Sequence, residues 1–148
     1  MEEENKVVLP AMGAVIAALA GGALWALIAV WTEYELGLVA WAIGGMAGFT
    51  VAFLADRRAK QVHQIIAVIA SVIGIVLGKF FMFSYILNDG FNGMFEGHMF
   101  TLFTELFAEF WGLMDIVFVI LAIATAWQLP AKLSHKAEPP VQQPVVPE

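Results

Sequence analysis

The stretch LPAMGAVIAALAGGALWALIAVW, Leu9 to Trp31, holds no charged side chain and only one proline, at its very start. At a helical rise of about 1.5 Å per residue it reaches across a hydrocarbon core of about 30 Å. Ala18-Leu19-Ala20 imitates a leader-peptidase site, but the flank Glu2-Glu3-Glu4-Asn5-Lys6 is acidic where a secretory leader is basic. The apolar run also continues well past that site. The stretch reads as a retained membrane helix, with residues 1–8 as a short polar lead and Pro10 in the first turn, where its missing N–H is harmless.

Three further apolar runs follow, at about 37–55, 64–87 and 112–129. Each is long enough to cross a bilayer, the shorter two with little tilt. In lipid, backbone polar groups must be satisfied within the segment, and none of these runs alternates as a barrel strand would. The expected fold is therefore all-α, a polytopic membrane protein of four transmembrane helices. Composition agrees: 61% of the 148 residues are hydrophobic and 14% charged, against about 25% charged in a soluble domain. Mean hydropathy is +0.82.

Charge distribution orients the helices. Lys6, Arg57, Arg58, Lys60, Lys132 and Lys136 fall on one side of such a four-span chain, while Glu33, Glu35, Asp89, Glu96, Glu105 and Glu109 fall on the other. By the positive-inside rule the first side is cytoplasmic, together with both termini. The lipid bilayer is then the first partner, and other membrane proteins or a second copy of the chain are the next. The net charge of −6 and the absence of a basic stripe give no reason to expect nucleic acid. The chain has no cysteine, which removes disulfides, thiolate metal sites and thiol nucleophiles. No cofactor motif is present.

Small residues mark helix-packing ridges, since apolar helices in lipid associate where backbones can approach. Gly13, Ala17 and Gly21 recur at four-residue spacing, with Ala14, Ala18 and Gly22 beside them; Gly44 and Gly48 follow Ala40, and Gly74 and Gly78 follow Ala70. Trp31, Tyr34, Trp111 and Trp127 fall where an interfacial aromatic belt is expected. From residue 130 onward the chain holds five of its six prolines and reads as a disordered, Pro-rich cytoplasmic tail, residues 130–148. The pair Pro144 and Pro147 is read as part of that spacer rather than as a docking motif.

Between the third and fourth runs, Asn88-Asp89-Gly90 and Asn92-Gly93 are turn chemistry. About 97–111 the pattern becomes amphipathic. Met99, Phe100, Leu102, Phe103, Leu106, Phe107, Phe110 and Trp111 are assigned to one face and Thr101, Thr104, Glu105, Ala108 and Glu109 to the other. Such a helix lies in the outer interface or runs into the fourth span. Glu96, His98, Glu105 and Glu109 offer a weak metal-ligand set, with no recognised spacing, so no metal is expected. His63 and His135, in basic flanks, read as interfacial or solvated.

Two charges lie inside the spans. Lys79 sits about 7 Å outward of the middle of the third run, and Asp115 opens the fourth. Ionisable residues at such depth usually pair or face a polar cavity. The expected arrangement is an ion pair of Lys79 with Asp115, with Glu35 as the alternative partner; the competing reading is a lysine that snorkels to the interface. Ser71 and Ser84 are span hydroxyls with no span histidine to activate them, so no catalytic residue is assigned.

Residues 35–48, ELGLVAWAIGGMAG, resemble a group of uncharacterised small bacterial membrane proteins in which a Glu-x-Gly lead opens a Gly-rich second helix. The resemblance continues at Gly78-Lys79 and, more weakly, at Asp115 and residues 121–126. It covers most of the membrane region but neither the tail nor the Phe-rich segment. It implies a multi-pass protein of the bacterial inner membrane and carries no activity with it. The functional expectation is a non-enzymatic scaffold or accessory subunit of a membrane assembly. The alternative is a small transporter or channel using Lys79 and Asp115 as its intramembrane polar site, although the first span lacks the carboxylate on which four-helix exporters rely.

Overall fold

The computed structural model describes residues 2–33 and 37–135. Five helices follow one another: α1 (Glu2–Thr32), α2 (Gly37–Leu54), α3 (Gln61–Asn88), α4 (Gly97–Glu105) and α5 (Leu113–His135), with no strand among the described residues. α1, α2, α3 and α5 are each long and apolar enough to cross a membrane. α1 lies against α3 and α2, α5 lies against α2 and α3, and α1 and α5 do not meet. The bundle is thus a rhombus with α2 and α3 on its short diagonal. α3 is the central element: half of its apolar window is buried, against 17% for α5.

Two hydrogen bonds show that the start of α1, the α2–α3 turn and the end of α5 share one end of the bundle. His63 at the start of α3 bonds the Lys6 carbonyl at 2.8 Å. Ala59 N–H donates to Ser134 Oγ at 2.9 Å. Lys6, Arg57, Arg58, Lys60 and Lys132 therefore gather at one end, which we call the basic end, with Asp56 among them. Glu33, Asp89, Glu96, Glu105 and Glu109 belong to the other. Glu35 and Lys136 lie outside the described residues, as do Tyr34 and the Pro-rich segment from 136 onward.

Small residues decide how closely the helices approach. On α1 the ridge that meets α3 is Ala14, Ala18 and Gly22. A Cβ on Gly22 would stand 2.6 Å from the Gly74 carbonyl, and one on Gly74 2.7 Å from the Ala18 carbonyl. Gly78 takes the edge of the Trp25 ring at the same seam. Gly13 and Gly21 instead turn toward side chains of α2, Leu54 and Thr50 for the first, Ile43 and Met46 for the second. The second close seam joins α2 to α5, where a Cβ on Gly44 would stand 2.4 Å from the Ala122 carbonyl and one on Gly48 3.2 Å from Ala126 Cα. Backbone-to-backbone approach of this kind maximises dispersion contact between the helices.

Three differences from the sequence reading have local causes. α1 begins at Glu2, so Pro10 lies in the helix interior and is fully buried rather than in the first turn. A proline there has no N–H for the carbonyl four residues back, which is Lys6. That carbonyl is the acceptor used by His63. His63 is accordingly buried, at 4% exposure, and not solvated. Lys60 N–H can only donate, so His63 Nδ1 accepts it at 2.9 Å; the ring is then neutral with its proton on Nε2, facing Lys6.

The second difference is at the other terminus. α5 continues through Pro130 to His135, where an extended tail was expected to begin at 130. Pro130 is buried, and Ser134 Oγ donates to its carbonyl at 2.7 Å while receiving Ala59 N–H. The α2–α3 turn thus holds the last turn of α5 in place.

The third concerns the amphipathic segment, which is helical only to Glu105; residues 106–112 form turns before α5 starts. Met99 and Phe103 of α4 are buried with Phe80 and Phe83 of α3 in one aromatic cluster. Phe103 meets Phe80 edge-on at 5.4 Å and Phe110 meets Phe83 edge-on at 4.7 Å. α4 is therefore a cap packed on the acidic-end half of α3, and neither a helix running to 111 nor an extension of α5.

Gly44 and Gly45 are adjacent in sequence but differ in space, since nothing lies within 4 Å of a Cβ on Gly45. Gly44→Ala is expected to lower stability by about 1–3 kcal/mol through overpacking, and Gly45→Ala to leave it unchanged or slightly raised. Thermal unfolding of the two variants in one detergent checks this; equal effects would mean that α2 and α5 do not meet at Gly44.

Candidate functional site

Lys79 sits on α3 in the acidic-end half of the bundle, its side chain 1% exposed. An ammonium in such surroundings requires a counter-charge and hydrogen-bond acceptors. Nζ lies 3.0 Å from Asp115 Oδ2 and donates to the Phe110 carbonyl at 3.2 Å. Two indoles flank the cation, with ring centroids of Trp25 at 5.8 Å and Trp111 at 5.6 Å. Both distances are within reach of cation–π attraction, and the rings help to cover the ammonium.

Asp115 is placed by its own helix. Gly112 precedes α5, and Asp115 is the third residue within it. From there its Oδ2 accepts the Gly112 N–H at 2.9 Å, while the Asp115 N–H donates to the Gly112 carbonyl at 3.1 Å. A carboxylate at this position closes the helix start and meets the positive end of the helix dipole. One oxygen of Asp115 therefore serves the start of α5 and the cation of α3 together. The side chain is 14% exposed.

The Phe110 carbonyl belongs to the turns between α4 and α5, so Lys79 holds three elements: its own helix, the connector and the fourth long helix. Lys79 does not snorkel along the bundle surface. The alternative partner Glu35 lies outside the described residues. Trp111, expected in an interfacial belt, is partly buried beside Lys79, and Trp25 was not singled out by the sequence at all. A tryptophan inside an apolar run is ordinary; its six-residue advance on Trp31, one face of the helix away, was the available signal. The indole N–H groups of Trp25 and Trp111, and the hydroxyls of Ser71 and Ser84, are buried without a hydrogen-bond partner.

The remaining candidates do not converge. Glu96 and His98 approach each other at 3.2 Å, but both are more than half exposed. Among the described residues no group of three or more His, Asp or Glu side chains is placed to hold a metal ion, so Glu96, His98, Glu105 and Glu109 do not come together as a ligand set. Ser71 lies eight residues from His63 on α3, about 12 Å along the helix, too far for activation.

Clefts open at several places on the bundle. Ala26, Phe81, Phe91 and Phe95 help to line an apolar one of about 320 Å³. A second, of about 440 Å³, has Glu33, Tyr85 and Asp89 at the acidic end. The third, of about 490 Å³, is at the basic end. Neither Lys79 nor Asp115 lines any of them.

Fold and site together define a class, an all-helical bundle with four helices of membrane-spanning length and an internal ion pair between the third long helix and the fourth. In comparison with known proteins the chain matches no family model, no curated protein and no solved structure.

Removing either charge takes from the other the contact made at 3.0 Å. Lys79→Met and Asp115→Asn are each expected to cost about 3–5 kcal/mol, and the double variant clearly less than their sum. A double-mutant cycle of unfolding free energies measures this; additive losses would mean that the two side chains act independently.

Proposed function

We propose that this chain is a non-enzymatic, multi-pass protein of the bacterial inner membrane, with its basic end and both termini in the cytoplasm, and that it acts as a scaffold or accessory subunit of a membrane assembly. The observation that carries this reading is the closure of its intramembrane charges. A conduit needs its ionisable groups in contact with water or substrate along a pathway. Here the ammonium is 1% exposed, held by Asp115 and the Phe110 carbonyl and flanked by two indoles; the acidic-end cleft reaches Phe110 but is lined by neither Lys79 nor Asp115. The pair has the geometry of a fastening. The same observation weighs against the transporter alternative, and among the described residues no histidine stands beside Ser71 or Ser84 to support an intramembrane hydrolase.

What is left to such a molecule is its surface. The one-sided distribution of Lys and Arg supports the cytoplasmic assignment of the basic end, and the resemblance of residues 35–48 supports the inner-membrane one. α5 offers a lateral apolar face, since Ala122, Ala126 and Pro130 are its buried residues while Met114, Ile116, Val117, Ile120 and Leu121 are exposed.

Two measurements on purified protein test the reading. In mild detergent, native mass analysis is expected to give a complex larger than the 16.1 kDa chain. In proteoliposomes, ion and proton flux is expected to stay at the protein-free background. A monodisperse single chain together with a flux abolished by Lys79→Met would overturn the proposal in favour of transport.

A further inference from the structure

At the basic end, the start of α1, the end of α2 and the first turn of α3 enclose the cleft of about 490 Å³. Its polar lining is Lys6, Arg58, Lys60, His63 and Asp56; its apolar lining includes Val7, Leu54 and Val62. His63 contributes no charge, because its Nδ1 accepts from Lys60 N–H and its Nε2–H is spent on the Lys6 carbonyl. The lining therefore carries three cations against one carboxylate, that of Asp56. Lys6 is also engaged in an interaction of its own, so the argument rests on Arg58 and Lys60.

The local backbone builds this concavity. Asp56 and Arg57 both adopt left-handed conformations, with φ of 52° and 54°, which turns the chain sharply between α2 and α3 and leaves Arg58 and Lys60 at the rim. The same rim receives the positive end of the α3 dipole, since Lys60 is the N-cap residue and Val62 and His63 lie in the first turn. Arg57, one residue earlier, does not line the cleft. The excess positive charge is thus gathered in a pocket between helices rather than spread evenly around the turn.

A pocket that is cationic at its rim and apolar along one wall, at the end of helices long enough to cross a membrane, matches one ligand chemistry. We propose that this cleft binds a phosphate-bearing anionic headgroup, with the phosphate between Arg58 and Lys60 and the attached chains lying along Val7, Leu54 and Val62. Basic pockets between helices on the cytoplasmic side take lipid headgroups in this way, and Arg supplies a bidentate fork suited to phosphate. The site is 16 residues from Lys79 along α3, about 24 Å, and does not depend on the role given to that residue.

The test uses full-length protein stripped of lipid in a zwitterionic detergent. Its thermal midpoint and its retained adducts in native mass spectra are followed as dioleoylphosphatidylglycerol, dioleoylphosphatidylcholine or inorganic phosphate is titrated in. Phosphatidylglycerol is expected to raise the midpoint and remain bound where phosphatidylcholine does not. In Arg58→Gln/Lys60→Gln the apparent affinity is expected to fall about 30-fold, while Arg57→Gln keeps it. Retention of inorganic phosphate with the same variant dependence would support the same site with a soluble phosphoryl ligand as the source. Equal response to the two lipids, or equal loss in Arg57→Gln, would overturn the proposal, because diffuse surface charge would then account for the binding. Unliganded midpoints of the variants, expected to match the parent, separate lost binding from lost folding.

Discussion

A lysine ammonium surrounded by apolar side chains must be neutralised where it lies, and most of this structure's acidic-end half is arranged around that requirement. Lys79 can reach only what α3 faces at that level. What it finds is the start of α5, where Asp115 is already committed to Gly112. Joining those two points fixes the register of α5 against α3 without any small-residue seam between them. It also pins the connector at Phe110, which in turn brings the phenylalanines of α4 down onto Phe80 and Phe83. The two indoles then close over the cation. Removing the charge would loosen a helix, a connector and a cap together.

The basic end uses a neutral device for the same purpose. Pro10 deprives the Lys6 carbonyl of its helical partner, and a buried imidazole from α3 supplies the missing donor. Because Lys60 N–H occupies the other ring nitrogen, that imidazole is held in one orientation. Ala59 and Ser134 add a second tie, from the α2–α3 turn to the end of α5. Between the two ends the helices are held by close backbone approach, Gly22 to Gly74 and Gly44 to Ala122. The bundle thus combines polar ties at its ends with bare backbone contact in the middle.

The four long helices were legible because a run of about 20 apolar residues admits few other structures. The meeting of Lys79 and Asp115 was legible for a related reason: two opposite charges at similar depth have few alternatives. Features that depend on contacts between distant residues were not. His63 looks like a solvated histidine until Pro10, 53 positions earlier in the chain, is seen to free a carbonyl beside it. The amphipathic pattern of 97–111 continues without interruption through Glu105, yet the helix stops there. The Phe110 carbonyl is claimed by Lys79 and Gly112 by Asp115, and both contacts override the local periodicity. Which glycines pack was also beyond the pattern, since Gly13 and Gly22 are equally small and only the rotation of α1 assigns one to α2 and the other to α3. Function was the least legible part, because the charged pair that invited a transport reading is engaged with the start of α5 and the connector before it.

The central claim, that the ammonium of Lys79 is fastened to Asp115 within the bundle, can be read directly from the dipolar coupling between ¹⁵N-labelled Lys79 Nζ and ¹³C-labelled Asp115 Cγ in protein reconstituted into lipid bilayers. With Nζ 3.0 Å from Oδ2, the account expects a strong coupling, corresponding to a separation under about 4 Å as in a contact ion pair. No measurable coupling, with Lys79 Nζ exchanging freely with water, would contradict it and return Lys79 to the interface.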